Sequence, residues 1–267
     1  MKILLTIILS LLISVGSYFA RFLTFSGAIA TMFLAIVIYG LGGWVWTVPI
    51  LVFFVSSSFL SRIRAERKKD LAAIFEKSSR RDAGQVLANG GLAGILVVVW
   101  SFLHHETIYI AYLGAVSAVT ADTWSTELGV LSRSEPRSIT SLTSVPSGTS
   151  GAVSVLGLIA GLLGSTLIFA VGKPWLKIAG VGKVSTFLLF TVVVVSGICG
   201  NLLDSLLGAT VQSQYCCRGC GKMTERKVHC AETKTELVRG KTWVTNDVIN
   251  FVCAVSGAGI AFAAFNL

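Results

Sequence analysis

An apolar run and a polar loop meet in ADTWSTELG at residues 121–129, and the same loop ends in SGTSG at residues 147–151. The first segment places Asp122 and Glu127 near the end of a predicted apolar helix, and the second places a glycine- and hydroxyl-rich turn before the next one. An intramembrane carboxylate costs about 3 kcal/mol unless it is paired, hydrated or bound to a metal. The two segments therefore indicate a functional site inside a membrane, although Glu127 also lies close enough to the helix end to be a structural residue at the interface.

The composition excludes a soluble protein. Hydrophobic residues make up 54% of the 267 residues, charged residues make up 13%, and the mean hydropathy is +0.78. These values predict an all-α, polytopic membrane protein that forms a single transmembrane domain over residues 1–267. Apolar runs long enough to cross about 30 Å of hydrocarbon predict about eight helices. The runs cover residues 3–20, 24–41, 44–61, 85–103, 107–129, 149–172, 185–211 and 246–265.

The distribution of basic residues predicts the orientation of these helices, because lysine and arginine in short loops stay on the cytoplasmic side. Alternate connections of an eight-helix chain hold 18 of the 22 basic residues, and the other side holds four. We therefore expect both termini outside and cytoplasmic loops at residues 62–84, 130–150 and 212–245, in a multi-pass protein of a bacterial-type plasma membrane. Insertion bias and attraction to anionic lipids account for the net charge of +9, so no nucleic-acid partner is expected.

The first of these loops, residues 62–84, mixes eight basic residues with leucine, isoleucine and phenylalanine. This mixture predicts an amphipathic helix along the cytoplasmic interface. Topological anchoring is the favoured role for its charges, with contact to a phosphate-bearing substrate as the alternative.

Polar residues of several helices converge on the cytoplasmic end of the predicted bundle. They are Asn89, Asp122, Glu127, Asn201, Asp204, Ser205, Asn246, Asp247 and Asn250. Helical spacing places Asn201, Asp204 and Ser205 on one face. Polar residues that only hold helices together have no reason to collect at one depth, so a site is favoured over interhelical packing.

The turn at residues 147–151 suits phosphate binding. Free backbone N–H groups at a helix N-terminus favour anions, and glycines let a phosphate approach the backbone. By itself such a turn is more often a helix cap, but it emerges at the same membrane face as Asp122. We expect the amides of Asn89, Asn201, Asn246 and Asn250 and the hydroxyl of Ser205 to contact a nucleotide or its phosphates. Further residues at this face are expected to do the same, namely Arg133, Arg137, Ser147, Gly148, Thr149, Ser150, Gly151 and Lys241.

Carboxylates, amides and a phosphate-binding turn in one place suit phosphoryl or nucleotidyl transfer to a membrane-embedded acceptor. Mg²⁺ commonly uses one or two protein carboxylates together with substrate phosphates. We expect Asp122 and Asp204 to bind Mg²⁺, with Glu127 and Asp247 as further catalytic candidates.

The third loop contains a separate feature, a Cys-x2-Cys-Gly sequence followed by an adjacent histidine and cysteine. Cys217 and Cys220 have the spacing of half a zinc site, and His229 and Cys230 would complete it less regularly. Structural zinc is favoured, and a redox pair or free thiols are the alternatives. A structural disulfide is not expected in a reducing cytoplasm.

Taken together, these motifs resemble the phytyl-phosphate kinase family, which includes the transmembrane protein 19-like proteins. The resemblance spans residues 20–265. It is carried by the segments 89–91, 121–129, 148–151, 200–212, 217–230 and 246–250.

The resemblance implies transfer of phosphate from a nucleoside triphosphate, with CTP favoured, to an isoprenyl monophosphate such as phytyl or geranylgeranyl phosphate. By position it also implies that Asp122 and Asp204 serve metal and nucleotide, and that residues 148–151 serve the phosphates. The chain is similar, more distantly, to phytol and dolichol kinases and to CDP-diacylglycerol synthases.

Three alternatives to this function stay open. A prenyl alcohol kinase or a CTP-dependent lipid nucleotidyltransferase would use the same groups. A small-molecule or lipid transporter should have polar residues at the midplane and inverted repeats, whereas the outer half of this chain is almost uncharged. A non-enzymatic assembly or interaction protein would leave the intramembrane acids unexplained. Separately from these functions, a homodimer stays open as a partner.

Overall fold

The structure is a computed structural model that describes residues 2–63, 80–230 and 233–267. These residues are mainly helical, as the composition predicts. The helices are α1 (Lys2–Phe19), α2 (Phe25–Leu60), α3 (Ala83–Leu103), α4 (Glu106–Gly129), α5 (Val155–Gly172), α6 (Thr186–Thr210) and α7 (Asn246–Phe265). The amphipathic helix expected in the first loop falls on residues 64–79 and lies outside the described residues.

Five of these helices, α2, α3, α5, α6 and α7, are long and apolar enough to cross a membrane, and α1 is a shorter apolar helix. The backbone of Gly43 has φ 63° and ψ −156°, which breaks α2 into segments 25–42 and 44–60. Glycine adopts this conformation without the steric cost of a side chain. The break lies at the boundary predicted between the second and third apolar runs. The total of eight spans and the outside location of both termini stay predictions.

Helix α4 forms the centre of the bundle. Every residue from Thr107 to Ala121 is buried, and the helix packs against α2, α3, α5, α6 and α7. Because its neighbours are helices rather than lipid, α4 can carry hydroxyl groups. Ser117 donates to the carbonyl of Val193 at 3.0 Å, and Thr120 donates to Val116 at 2.6 Å. The central position of α4 brings Asp122 to a point where several helices end.

Small residues allow the helices to approach α4 closely. A Cβ atom added to Gly114 would lie 2.4 Å from the carbonyl oxygen of Gly257, and one added to Gly257 would lie 2.5 Å from that of Gly114. Both separations are shorter than van der Waals contact, so α4 and α7 touch backbone to backbone. This is the usual way in which membrane helices gain packing energy without a hydrophobic driving force.

Aromatic side chains fill the end of the bundle opposite to Asp122. Trp46 and Tyr109 have ring centroids 4.9 Å apart, and Trp46 and Tyr112 have centroids 4.8 Å apart. The hydroxyl of Tyr112 donates to the carbonyl of Trp46, and that of Tyr109 donates to Gly172 at 3.3 Å. These contacts tie α2, α4 and α5 together in a closed, apolar half.

The loops at the Asp122 end fold into two small sheets that the all-α prediction did not anticipate. In the second loop, β1 (Arg137–Ser138) pairs with β2 (Ala152–Val153). The third loop contains four further strands, β3 (Gln214–Cys217), β4 (Met223–Thr224), β5 (Val228–His229) and β6 (Thr233–Arg239). They form an antiparallel sheet with the order β4-β3-β6-β5.

The expected start of the sixth apolar helix at residue 149 is wrong. Gly151 has φ 80°, and the next two residues form β2, so α5 begins only at Val155, with Ser154 as its N-cap. The turn at residues 147–151 therefore belongs to a hairpin and not to the first turn of a helix. The apolar residues of β2 resemble a helix start in the sequence, whereas in the structure they pair with β1.

We expect Gly257→Ala to destabilise the bundle, because the new methyl group overlaps α4, and overpacking typically costs about 1–3 kcal/mol. Gly259→Ala is the matched control, since a Cβ at Gly259 meets nothing within 4 Å. The midpoint of thermal unfolding in detergent should fall for Gly257→Ala and not for Gly259→Ala. Equal midpoints for the two variants would contradict the backbone contact.

Candidate active site

A cavity of about 110 Å³ lies at the polar end of the bundle, where α4, α5, α6 and α7 meet the two loop sheets. Most of the residues predicted for the site line it. These are Asp122, Ser147, Gly148, Thr149, Ser150, Gly151, Asn201, Asp204, Ser205 and Asn246. Asp122 and Asp204, which are 82 positions apart in the chain and lie on different helices, are thus brought to one place. The fold therefore brings part of the predicted set together, whereas Asn89, Glu127, Asp247 and Asn250 do not line this cavity.

Asp122 on α4 and Asp204 on α6 form the centre of this cavity. Their carboxyl groups lie within hydrogen-bonding contact of each other. The Oδ2 atom of Asp204 is buried and accepts no hydrogen bond from the described residues. Two carboxylates in contact repel each other, so such a pair either shares one proton or binds a cation between its oxygens. The pair has oxygen donors of the kind that Mg²⁺ prefers, so it could hold such an ion.

A chain of hydrogen bonds fixes the helices around the carboxyl pair. The Asn201 amide donates to the Ser125 hydroxyl at 2.8 Å, and Ser125 in turn donates to the Gly157 carbonyl at 2.8 Å. This chain links α6, α4 and α5. Asn201 and Ser125 therefore act as positioning residues at the cavity wall, and Ser125 was not among the predicted site residues.

The turn at residues 147–151 closes one side of the cavity. Gly148 and Gly151 both have positive φ, at 86° and 80°. A Cβ at Gly151 would lie 2.6 Å from the carbonyl oxygen of Ser205, so only glycine lets the turn reach α6 this closely. The N-terminus of α5 opens onto the same cavity, where Ser154 caps the N–H of Gly157. Although the turn itself is not helical, it still lies beside a helix N-terminus.

Glu225, between β4 and β5, connects the third loop to this turn. Its carboxylate accepts hydrogen bonds from Ser150 Oγ at 2.9 Å and from Gln212 Nε2 at 2.8 Å. Gln214 Nε2 donates to the same Ser150 hydroxyl at 2.7 Å. Glu225 is 8% exposed and lines the cavity. Glu225 is not among the residues predicted for the site, because a glutamate in a charged loop has no distinguishing sequence pattern.

Other predicted residues lie apart from the cavity. Glu127 accepts a hydrogen bond from Ser61 at 2.6 Å and lies near Arg81. Burial lowers the pKa of Arg81 to about 10, against the opposing effect of the Glu127 carboxylate. Asn89 lines a separate apolar pocket next to Arg81, and its Oδ1 atom has no hydrogen-bond donor among the described residues.

The basic candidates are also outside the cavity lining. Arg133, Arg137 and Lys241 are exposed to solvent at the loop surface. Arg239 on β6 lies closer, since its guanidinium donates to the carbonyl of Gly208, a cavity residue, at 3.0 Å. Partial burial lowers the pKa of Arg239. Arg239 therefore places a positive charge beside the cavity wall.

The first turn of α7 borders both the cavity and an apolar groove. Asn246 lines the cavity, and the next residue, Asp247, lines a groove of about 890 Å³ between α2, α3 and α7. Phe33 and Leu87 on the groove walls are 61% and 51% exposed. The groove is thus open sideways, toward the region where lipid would lie. Asn250, one turn farther along α7, is buried in the bundle.

The third loop brings its four predicted zinc ligands together. The donor atoms of Cys217, Cys220, His229 and Cys230 all lie within 4.8 Å of one another. Cys216 is not part of this group. The cluster lies in the sheet formed by β3 to β6, apart from the cavity lining.

Comparison with known proteins supports the membrane assignment. A model of the family described as integral membrane protein DUF92 matches residues 8–258. Protein PGR of Arabidopsis thaliana is 32% identical over 271 residues, which cover 94% of this chain and 92% of the relative. An uncharacterized membrane protein of Methanocaldococcus jannaschii is 34% identical over 71% of this chain and 75% of its own length. One from Synechocystis is 26% identical over 85% of this chain and 77% of its own length.

No solved structure matches the chain. Two of the three relatives' names mention a membrane, and none of the three names a reaction. The integral membrane family and location are therefore established, while the kinase activity suggested by the motifs stays a prediction.

We expect Glu225→Ala to loosen the turn at residues 147–151, because a hydrogen bond to a charged group contributes about 1.5–3 kcal/mol. Amide hydrogen exchange in this turn should accelerate at least about tenfold. Glu236→Ala is the control, since Glu236 lies on the loop surface and pairs with exposed Arg218, at 3.1 Å. Unchanged exchange in Glu225→Ala would show that Glu225 does not hold the turn.

Proposed function

We propose that this chain, which belongs to the integral membrane protein family DUF92, is a membrane-embedded kinase that transfers phosphate from a nucleoside triphosphate to an isoprenyl monophosphate. CTP is the favoured donor, and phytyl or geranylgeranyl phosphate are the favoured acceptors. The donor and acceptor classes come from the resemblance of the motifs. The location of the reaction comes from the cavity.

The observation that carries the proposal is the contact between the carboxyl groups of Asp122 and Asp204 on a cavity wall. Such a pair within a membrane bundle is costly unless it binds a cation or a proton. Asp122 and Asp204 would hold Mg²⁺, which supplies neutralising charge to the phosphates of the substrate. The unpartnered Oδ2 of Asp204 supports this role, because it leaves an oxygen free for a ligand.

The phosphates of the nucleotide would lie against the turn at residues 147–151. Its two positive-φ glycines leave the backbone accessible, and Ser147 and Thr149 add hydroxyl groups to the cavity lining. The N-terminus of α5 at Ser154 adds the positive end of a helix dipole. These features together suit a polyanion better than a neutral ligand.

The isoprenyl chain of the acceptor would occupy the apolar groove between α2, α3 and α7. The groove opens toward lipid, and its lining includes Asp247, whose neighbour Asn246 lines the cavity. The side chain of the preceding Thr245 makes no capping hydrogen bond to α7 within the described residues. Backbone N–H groups at that helix start suit the acceptor phosphate. An acceptor could then enter sideways and bring its phosphate to the nucleotide.

In the transfer, an oxygen of the acceptor phosphate attacks the γ-phosphorus of the nucleotide. The bond from that phosphorus to the β–γ bridging oxygen breaks, the nucleoside diphosphate leaves with the bonding electrons, and the isoprenyl diphosphate forms. Catalysis of this kind depends mainly on positioning and on stabilising charge. Asn201 and Ser125 would hold the helices in register, and Glu225 would hold the turn.

The alternatives differ in what the rest of the bundle must do. A transporter needs a path to the other side, whereas Trp46, Tyr109 and Tyr112 fill the opposite half with interlocked rings. This packing disfavours transport. A prenyl alcohol kinase or a CTP-dependent nucleotidyltransferase would use the same cavity, so the choice of acceptor and the product distinguish them.

The test is an assay of the purified protein in detergent with Mg²⁺, several nucleoside triphosphates, and either prenyl monophosphate or prenyl alcohol, with products identified by mass. We expect prenyl diphosphate with the wild type. Asp122→Asn and Asp204→Asn should lower the rate by more than about 100-fold, because changes even beyond the direct metal ligands cost 10–100-fold. Glu236→Gln should keep full activity, since this residue is 62% exposed on the loop surface.

A further variant separates acceptor binding from chemistry. A Cβ at Gly91 meets only one atom, 3.9 Å away, so Gly91→Phe can fill the groove without disturbing α3. Its KM for the acceptor should rise while its KM for the nucleotide stays unchanged. Full activity of both aspartate variants would overturn the site, and product from the alcohol alone would replace the monophosphate by an alcohol acceptor.

A further inference from the structure

The sheet of the third loop contains a cluster of metal-binding side chains that phosphate transfer does not use. The donor atoms of Cys217, Cys220, His229 and Cys230 lie within 4.8 Å of one another. His229 Nδ1 is 3.1 Å from Cys230 Sγ and 3.6 Å from Cys220 Sγ. Tetrahedral zinc with ligands at about 2.0–2.3 Å separates its donor atoms by roughly 3.5 Å. The two distances from His229 Nδ1 are close to this value, and all four donor atoms lie within 4.8 Å of one another.

The first half of the cluster has the form of a zinc knuckle. Cys217 ends β3, and the N–H of Gly221 donates to its carbonyl at 2.8 Å, which closes a turn around Cys220. Gly221 has φ 70°, a conformation that suits glycine. Backbone N–H groups of Cys220 and Gly219 also donate to the Cys217 sulfur. This turn places the sulfur atoms of Cys217 and Cys220 on the same side, where both can bind one ion.

The second half explains how adjacent residues can share one ion. In a strand, neighbouring side chains point to opposite faces. Cys230, directly after β5, has φ 45°, a left-handed conformation that a non-glycine residue rarely adopts. The chain therefore bends at Cys230, and its sulfur comes to the same side as the His229 ring. Backbone strain of this kind persists where surrounding interactions maintain it.

Cys216 provides an internal comparison. It is adjacent to Cys217 in β3, yet its sulfur lies 3.6 Å from the carbonyl oxygen of Gly221 and outside the four-residue cluster. The arrangement therefore selects three of the four cysteines in this loop. A loop that merely contained many cysteines would not separate neighbours in this way.

We propose that Cys217, Cys220, His229 and Cys230 bind one structural Zn²⁺, which fixes the third-loop sheet and so holds Glu225 against the cavity turn. Glu225 lies between the two halves of the cluster in sequence and bonds to Ser150 and Gln212. Structural zinc contributes directly to the folding of small domains. This inference is independent of the reaction proposed for the cavity.

The test measures zinc in the full-length protein, purified in detergent under reducing conditions without chelators. Elemental analysis should give about one zinc per chain for the wild type and for Cys216→Ser, and a small fraction of that for Cys220→Ser. Extraction of zinc from the wild type with a strong chelator should accelerate amide exchange in residues 214–239 and in the turn at residues 147–151. Added zinc should restore the protection.

Wild-type protein with no zinc would overturn the proposal, and so would equal zinc in the Cys216 and Cys220 variants. If Cys220→Ser does not fold, cobalt substitution of the wild type decides. Absorption bands of tetrahedral, thiolate-bound Co²⁺ support the site, and their absence contradicts it. Titration of free thiols identifies the rival, because a disulfide pair would remove two reactive thiols without any metal.

Discussion

The burial of α4 on all sides is the constraint on which the rest of the structure depends. A helix surrounded by other helices must offer small residues at its contacts, and Gly114 meets Gly257 at a separation that leaves no room for a methyl group. The same burial shields α4 from lipid, so its polar residues are tolerated. Asp122 can therefore be held against Asp204 of α6 inside the bundle. A looser bundle would leave both carboxyl groups to water.

The two ends of the bundle follow from this arrangement and have opposite characters. Around Trp46 and Tyr112 the space is filled with packed rings, and the Tyr112 hydroxyl donates to the backbone carbonyl of Trp46, which closes that half. At the other end the helices stop short, and the loops build the remaining walls of the cavity. The third loop forms part of the cavity wall through Glu225, whose carboxylate accepts hydrogen bonds from Ser150 and Gln212. The site thus combines a rigid membrane part with loop parts whose positions depend on a few polar contacts.

Much of the fold and of the site could be predicted from the sequence, wherever a residue type is energetically unfavourable in a membrane. The apolar runs indicated where the helices lie. Asp122 and Asp204 were informative because burying a carboxylate in hydrocarbon is unfavourable unless the carboxylate has a partner or a function. Glu225 carries no such cost in an aqueous loop, and its role depends on tertiary contacts. The start of α5 at Val155 was missed for a related reason, since the strand before it is as apolar as a helix. Residue spacing within one helix could not predict the contact of Glu127 with Ser61, because that contact depends on where α2 ends.

The central claim is that Asp122 and Asp204 bind the metal of a nucleotide complex beside the turn at residues 147–151. It is tested most directly by an experimental structure of the protein with Mn²⁺ and a non-hydrolysable CTP analogue, using anomalous scattering to locate the ion. The account predicts a manganese peak between the two carboxyl groups and triphosphate density against the turn. A fully occupied nucleotide bound elsewhere, or a cavity without metal at saturating concentrations of both ligands, would contradict it.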